Sequence, residues 1–278
     1  MSDFEKLRIV TRYEFLKHIR RRRLWIILGL ALLVELAVLI LVPVLRTGGY
    51  PKDVILPTGG VIQGVLIMAA LLTFGPTLAA LGAVFFAGDA IAGEFESKTG
   101  FTLFTNPVKK LVLWSGKFIA CYLATVALII FIYIIITVAL YAIYHTLPFE
   151  LVKSFGLCLL YAAAVLAVTF FFSAVSKGSM GATVITLVFI WVISGIVESV
   201  LAFTNNPYWF MISAQGDSVY LIYGGMSALV GGLGAGESGG GMAAFAPLNI
   251  GLAAVGMVIY LVAGFASSVW IAGKRQLS

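Results

Sequence analysis

The chain concentrates charge in one segment between two long apolar stretches. Residues 88–117, here called the charged segment, lie between two runs of more than thirty residues without Asp, Glu, Lys or Arg. Such a segment must lie in water or at a membrane surface. Its charge density predicts a docking surface for a soluble partner, and the alternative is a plain charged loop. It holds seven of the 30 charged residues, namely Asp89, Glu94, Glu96, Lys98, Lys109, Lys110 and Lys117.

Two acidic residues fall within apolar runs. Glu35 lies mid-way along the first run, and Glu198 lies near the end of the fifth. Because a charge inside a bilayer is costly, such residues can mark a contact with a substrate, an ion or a second subunit. For Glu35 two interpretations remain open: such a functional contact, or an acid whose hydrogen bonds are satisfied within the helix bundle. For Glu198 the favoured interpretation is an interfacial residue at a helix end.

The sequence shows no arrangement of catalytic or metal-binding side chains. Its two histidines, His18 and His145, are far apart and fall on opposite sides of the predicted membrane topology. Neither a metal site nor a catalytic triad is expected around them. Cys121 and Cys158 lie in apolar runs, which predicts core or lipid-facing thiols.

A nucleotide site is also not expected. The string SKTG at residues 97–100 resembles the end of a phosphate-binding loop, but Ala92 and Ser97 occupy the positions of its two glycines. Without those glycines the backbone cannot wrap a phosphate. We therefore expect no catalytic residue, no metal and no cofactor in this chain.

The composition is that of a polytopic membrane protein. The chain is 61% hydrophobic and 11% charged, whereas soluble domains carry about 25% charged residues. Its mean hydropathy is +1.07. The net charge of +6 fits basic residues on the cytoplasmic side of a membrane better than nucleic-acid binding.

Uncharged runs of about 20 residues mark membrane-spanning helices. They predict an all-α polytopic protein with one transmembrane domain over residues 1–278. The third run is rich in β-branched and aromatic residues, yet in a bilayer it must be helical because backbone groups have to bond internally. The six predicted spans are residues 24–45, 61–87, 118–144, 154–176, 179–200 and 249–272.

Residues 204–247 are predicted to form an external or re-entrant segment. Nine of the 18 residues from 224 to 241 are glycine, the poorest ordinary helix former. A seventh span at residues 218–236 would also place the basic C-terminal residues on the side opposite the N-terminus. Short helices are expected near residues 208–212 and 219–223.

The distribution of Lys and Arg residues predicts which side of the membrane each loop and each terminus faces. Six spans with the N-terminus inside place 15 Lys and Arg residues inside and 3 outside. This positive-inside bias predicts a multi-pass protein of the cell membrane with both termini and the charged segment in the cytoplasm. Residues 1–23 are predicted to form an interfacial helix on anionic lipid headgroups, although their apolar residues form no single stripe. The alternative is a basic cluster that only sets topology, and the membrane-surface residues are Arg20, Arg21, Arg22 and Arg23.

The order of these features resembles the membrane subunits of ABC-2 type transporters. In that family an Asp ends the second span, and a Glu, a Gly/Lys-Thr pair, a Pro-Val with basic residues and a Gly-Lys pair follow. Lys98 stands where many members have glycine. The corresponding residues here are Asp89, Glu94, Lys98, Thr99, Pro107, Val108, Lys109, Lys110, Gly116 and Lys117.

The resemblance implies a permease that pairs with a second copy or a paralogue and with two cytoplasmic ATPase subunits, which would hold ATP and Mg. Residues 1–23 would be the interfacial elbow, and residues 88–117 the coupling region that docks into the ATPase. The segment between the fifth and sixth spans would cap the pathway outside. The implied coupling residues are Asp89, Glu94, Glu96, Lys98, Thr99, Pro107, Lys109, Lys110 and Lys117.

The expected function is therefore that of a permease subunit of an ABC exporter, which is not itself an enzyme. The alternative is a stand-alone secondary transporter or another polytopic membrane protein, such as an intramembrane enzyme. A proton-coupled carrier usually needs paired buried charges or interrupted helices at the midplane. Glu35 and the Gly75-Pro76 pair are the support for that alternative. An ATPase reading frame adjacent to this one would favour the ABC transporter.

Overall fold

The structure is a computed structural model and describes residues 3–45, 49–55, 61–72, 75–96, 110–204, 206–223 and 248–275. Some of the sequence-based expectations fall on other residues and lie outside the described part of the chain. These are the roles of Lys98, Thr99, Pro107 and Lys109, and the character of residues 224–241.

Helices make up most of the described residues. The first four are α1 (Asp3–Arg20), α2 (Arg22–Leu45), α3 (Gly64–Leu72) and α4 (Gly75–Ala87). They are followed by α5 (Ala92–Glu96), α6 (Lys110–Tyr144), α7 (Glu150–Val175) and α8 (Ser179–Leu187). A π-helical turn (Val188–Ile193) then leads into α9 (Ser194–Phe203), and α10 (Ile212–Leu221) and α11 (Ile250–Arg275) complete the fold.

Within the described residues, six helical segments are long and apolar enough to cross a membrane. They confirm the predicted all-α polytopic architecture, and each coincides with one of the predicted spans. The segments are Arg22–Val44, Gly64–Glu96, Leu111–Tyr144, Glu150–Val175, Ser179–Phe203 and Ile250–Lys274.

One span differs in detail from its predicted form. The third begins as α6 at Lys110, well before residue 118, because the charge of Lys117 is neutralised by acidic partners and does not end the helix. The second span contains α3 and α4, and the two residues between them, 73 and 74, lie outside the described part of the chain.

A small hairpin precedes the second span and is absent from the sequence-based prediction. Strand β1 (Val54–Ile55) pairs antiparallel with β2 (Val61–Ile62). Two-residue strands carry no periodic signal that a sequence pattern could reveal. After the hairpin, the Asp53 carboxylate accepts a hydrogen bond of 2.8 Å from the Gly64 backbone N–H, which fixes the start of α3.

Helix α7 lies inside the described bundle and packs against α4, α6 and α11. Its small residues Ala162, Ala164 and Ala167 are fully buried. A Cβ added at Gly264 of α11 would lie 2.9 Å from the Ala167 carbonyl carbon. Small residues on both helices therefore allow their axes to approach closely, as in other membrane bundles. In contrast, the α8–α9 span and α11 each bury only 17% of their most apolar part within the chain, as expected for surfaces that face lipid or another subunit.

Three contacts show which ends of the helices lie next to one another. The rings of Phe118 and Phe265 lie 4.9 Å apart, so the last part of α11 lies beside the first part of α6. The Glu96 carboxylate accepts a hydrogen bond from Ser179 at the start of α8. Thr11 of α1 contacts Gly116 of α6. The described parts of the charged segment, α1 and the end of α11 thus lie at one end of the bundle.

Candidate functional site

Helix α1 packs along the first turns of α6. A Cβ at Gly116 would lie only 2.7 Å from the Val10 Cγ1, so a residue with a side chain would push the two helices apart. The Thr11 hydroxyl donates a hydrogen bond of 3.4 Å to the Gly116 carbonyl. Glycine at this position therefore allows α1 to lie directly on the helix that follows the charged segment.

Lys117 forms the centre of a group of ion pairs between three elements. Its Nζ lies 2.7 Å from Oε1 of Glu14 on α1 and 2.7 Å from Oε1 of Glu94 on α5. Lys17 adds contacts of 3.4 Å to Glu14 and 3.9 Å to Glu94. The Lys117 side chain is only 3% exposed. We call these four residues the clasp. Because ammonium and carboxylate groups are buried together, each depends on the others to offset its loss of hydration.

A second group of ion pairs lies beside the clasp. The Asp89 carboxylate accepts a hydrogen bond from Arg21 and another, of 3.0 Å, from Arg23. Asp89 lies two residues after the end of α4, whereas the two arginines lie at the junction of α1 and α2. Arg21 and Arg23, which the sequence predicts to lie at the membrane surface, therefore make ion pairs inside the chain.

His18 is buried between these two groups of ion pairs. Its Nε2 lies 3.4 Å from the Cys121 Sγ, and its ring packs edge-on against Phe86. Burial lowers the pKa of His18 below its ordinary value of 6.5; Asp89 opposes this shift and Arg21 adds to it. A cavity of about 20 Å³ next to His18 has room for about one water molecule.

Ser173 of α7 holds the turn that leads into the charged segment. Its hydroxyl donates a hydrogen bond of 2.9 Å to the Gly88 carbonyl. The same oxygen accepts hydrogen bonds from the backbone N–H groups of Ile91 and Ala92, at 3.2 and 3.0 Å. All of these groups are buried, so one hydroxyl satisfies three backbone groups that would otherwise be left unpaired.

Glu96 connects the end of α5 to the fifth span. Its Oε2 accepts hydrogen bonds from the Ser179 backbone N–H at 2.9 Å and from the Ser179 hydroxyl at 2.7 Å. A carboxylate at a helix start satisfies an unpaired N–H and interacts favourably with the helix dipole. Glu96 is exposed, whereas the Glu94 side chain is only 13% exposed.

The charged side chains around Lys117 join several elements of the fold. Within the described residues, no three His, Cys, Asp or Glu side chains converge as metal ligands do. The charged side chains instead connect the beginning of the charged segment to α1, α6 and α8.

The two faces of α1 explain why its apolar residues form no single stripe. One face, which includes Val10, Glu14 and His18, packs on the bundle. The opposite face exposes Tyr13 (70%) and Ile9 (55%). Apolar residues are therefore divided between a protein contact and an outward surface, which carries Arg8, Arg12 and Arg20 as well.

The two acids in the spans lie in different surroundings. Glu35 is fully buried on α2, and no described residue bonds to either of its carboxylate oxygens. Glu198 on α9 is partly exposed and hydrogen-bonds to Ser213 at the start of α10. Ser213 also bonds to Ser194 at 2.8 Å, which attaches α10 to the fifth span.

A family model described as ABC-2 family transporter protein matches residues 10–193. The match covers well over half of the 278 residues. The chain belongs to the ABC-2 family of transporter proteins. No curated protein matches it. An ABC-2 protein of this kind is a membrane subunit of a transporter, and catalysis is not its own role. The matched range includes the clasp and Glu35 but ends before Glu198.

The predicted coupling residues of this ABC-2 protein have three different placements. Asp89, Glu94 and Lys117 make ion pairs within the chain. Glu96 is exposed but bonded to Ser179. Lys110 begins α6, and the remaining predicted residues lie outside the described part of the chain.

Three residues that carry these contacts have no clear signal in the sequence of the ABC-2 protein: Glu14, Lys17 and Ser173. Glu14 and Lys17 are three positions apart on α1, a spacing that usually indicates an ordinary surface pair. Ser173 lies in an apolar span, where serine usually bonds to its own helix. The one available signal was the spacing of Val10, Glu14 and His18, which lie on one face of a helix.

Proposed function

We propose that the protein is the permease subunit of an ABC exporter, driven by ATP hydrolysis in separate cytoplasmic ATPase subunits. The observation that carries the proposal is membership of the ABC-2 family. ATP and Mg bind to the partner subunits and not to this chain. The proposed place is the cell membrane, with both termini in the cytoplasm, in line with the 15-to-3 distribution of basic residues.

The clasp supports a specific path for coupling. An ATPase that docks on the charged segment would pull on α5, and α5 is attached to α1 and α6 through Glu94 and Lys117. Because the Glu94 carboxylate is engaged inside the chain, its proposed role is to position the docking surface. Direct contact with the ATPase then involves Glu96, Lys98, Thr99, Pro107, Lys109 and Lys110.

A second copy of the chain or a paralogue completes the proposed transporter. The fifth span and α11 each bury only 17% of their most apolar part within the chain. These surfaces provide room for both a subunit contact and membrane lipids. The outward face of α1, with its arginines and apolar side chains, suits contact with anionic lipid headgroups.

Co-purification with an ATPase encoded next to this chain tests the proposal. Glu94→Lys with Glu96→Lys should weaken assembly or ATP hydrolysis in liposomes several-fold, as expected for loss of contacts worth about 1 kcal/mol or more. The matched control is Glu150→Lys with Glu237→Lys, which changes charge equally on the predicted outer side. This control should assemble like the wild type.

Single substitutions separate direct docking from positioning. Glu96→Lys should weaken assembly while α1 stays docked, whereas Glu94→Lys should also loosen α1 from α6. If the double variant assembles and hydrolyses ATP like the wild type, the docking role of these acids is wrong. Transport that proceeds in liposomes without any ATPase would instead favour a secondary transporter.

A further inference from the structure

A groove with a volume of about 260 Å³ runs along the outside of the bundle between α6 and α7. It lies within two segments that are long and apolar enough to cross a membrane. We propose that the groove binds one phospholipid molecule, with an acyl chain in the groove and the phosphate beside Tyr141 and His145 at the end of α6. The residues that line the groove are Ile130, Tyr133, Ile134, Thr137 and Val138 of α6 and Phe155 of α7.

Both hydroxyl groups of the lining are already engaged. The Tyr133 Oη lies 2.6 Å from the Ser154 Oγ, and the Thr137 hydroxyl donates a hydrogen bond of 2.7 Å to the Tyr133 carbonyl. A polar ligand would lose its hydration in the groove and find both hydroxyls in use, which is costly. The groove therefore suits a hydrocarbon chain.

Tyr133 and Phe155 give the groove a fixed floor. Their rings are packed edge-on with centroids 5.1 Å apart, and the hydrogen bond between Tyr133 and Ser154 attaches α7 to α6 beneath them. At the rim, Ile134 and Val138 are 56% and 64% exposed. The groove is thus a recess with a packed floor and an open side, along which a flexible chain can lie.

The face of α6 that carries the groove continues to the end of the helix. Ile134, Val138, Tyr141 and His145 are spaced by four, three and four residues, which places them on one side of the helix. Tyr141 is 60% exposed, and its ring packs edge-on against the ring of His145 at 6.0 Å. His145 has a φ of 54°, so the chain leaves the helix there. An acyl chain in the groove therefore has these two rings at one end.

Tyr141 lies at the depth where a lipid head group is expected. At 1.5 Å per residue it is about 36 Å along α6 from Lys117, slightly more than the thickness of about 30 Å of the hydrocarbon core of a bilayer. With the clasp at one membrane surface, Tyr141 and His145 are at the other. The lipid then belongs to the leaflet farther from the clasp, which is the outer leaflet in the proposed topology.

The chemistry of Tyr141 and His145 matches the phosphate region of a lipid. Tyrosine is enriched at membrane interfaces, where its ring lies in the apolar part and its hydroxyl reaches the polar part. The tyrosine O–H and a histidine ring N–H are hydrogen-bond donors, and the phosphate oxygens of a phospholipid are acceptors. Because lipid tails are as apolar as the groove, the hydrophobic effect does not hold the chain there. Close packing in the recess and the head-group hydrogen bonds hold it instead.

Other spans are better placed for contact with a second copy of the protein. The α6 span buries 39% of its most apolar part within the chain, whereas the fifth span and α11 bury 17% each. The groove is also recessed between two helices, so a thin, flexible occupant fits it better than the broad side of another helix. Lipids surround such a face in a membrane and supply that occupant.

A photoreactive phospholipid tests the site. The probe is phosphatidylcholine with a diazirine on one acyl chain, included in phosphatidylcholine liposomes that hold the purified protein. The protein is extracted into detergent before irradiation, so that loosely held lipid is washed away. We expect label on residues 130–138 and on Phe155, several-fold above the label on α11. A diacylglycerol with the same chain lacks the phosphate and should label about five-fold less, the effect of losing about one hydrogen bond.

Matched variants separate occupancy of the groove from folding. Ile134→Trp fills the groove and should lower the labelling of Phe155 several-fold. Ile259→Trp places the same ring on α11, where Ile259 is 55% exposed, and should label like the wild type. Ile134→Ala leaves the groove open and should also label like the wild type. Tyr141→Phe with His145→Ala should reduce labelling by the phospholipid to the level of the diacylglycerol, with an unchanged temperature of unfolding.

Four outcomes would overturn the proposal. These are label in the groove no stronger than on α11, normal labelling of Ile134→Trp, equal labelling by the phospholipid and the diacylglycerol, or a groove without label in which Ile134→Trp turns a dimer into a monomer. The last result would make the groove a contact between two copies. Because the labelling needs no ATPase, its failure and the failure of the coupling experiment are independent.

Discussion

The Nζ of Lys117 lies 2.7 Å from the Glu94 Oε1, although the two residues are 23 positions apart. Glu94 belongs to α5, and Lys117 lies in the second turn of α6. The pair therefore brings together the two ends of the charged segment. Glu14 occupies the other side of the same ammonium group, so α1 is attached at the same point.

Replacing Lys117 should cost more than replacing any exposed lysine. Lys117→Met leaves the Glu14 and Glu94 carboxylates with only their longer contacts to Lys17, at 3.4 and 3.9 Å. Breaking a buried pair in this way typically costs about 3 kcal/mol or more. We expect thermal unfolding of the purified protein to shift clearly to lower temperature.

The matched control is Lys153→Met, because Lys153 is exposed at the opposite end of the bundle and contacts only a ring, that of Phe149, at 5.4 Å. It should unfold within a degree or two of the wild type, as exposed substitutions usually do. Adding Glu94→Gln to Lys117→Met should recover part of the loss. Equal effects of Lys117→Met and Lys153→Met would contradict the clasp.

The attachment of α1 should depend on pH through His18. Burial lowers the pKa of His18 below 6.5 in the docked state. A released α1 therefore binds a proton more readily, so docking is most stable above about pH 6.5 and weakens as the pH falls through the window below it. The neighbouring thiol of Cys121 should then become accessible.

The measurement is maleimide labelling of Cys121 in a Cys158→Ser background, taken relative to the same protein with His18→Gln at each pH. This ratio cancels the intrinsic pH dependence of the thiol. It should rise as the pH falls from 7 to 5. A constant ratio would mean that His18 does not control docking.

Ser173 should be important for the charged segment despite its place in an apolar span. Ser173→Ala leaves the N–H groups of Ile91 and Ala92 without their acceptor, and each such buried group costs about 1–3 kcal/mol. We expect lower thermal stability and faster proteolysis after α4. Ser267→Ala is the control, because the Ser267 hydroxyl bonds only to carbonyls of its own helix.

The proposed topology can be tested with introduced cysteines. Labels at Ser278 and Thr99 should react only from the cytoplasmic side of the membrane, and a label at Ser238 only from outside. The reason is the excess of basic residues on the N-terminal side of the predicted topology. Labelling of Ser278 from outside would rule out six spans with both ends in the cytoplasm.

Composition and hydrophobic runs were sufficient to predict the class of fold. Spans such as Glu150–Val175 are recognisable because a bilayer requires about 20 apolar residues in a helix. The order of charged residues from Asp89 to Lys117 was also sufficient to indicate the family, which the match over residues 10–193 confirms. These are properties of the local chain, and no tertiary contact is needed to read them.

The tertiary structure alone decided what the charged residues contact. Nothing in the sequence pairs Glu94 with Lys117 or Asp89 with Arg21, because those contacts depend on how α1 packs against α6. The same is true of Glu35, whose burial is known only once α2 is packed against α3, α4 and α6. A charged side chain has the same local pattern whether it faces water, a partner or a buried ion pair. Only the distances between helices distinguish these environments, since Coulomb energy and hydration both depend on what surrounds the charge.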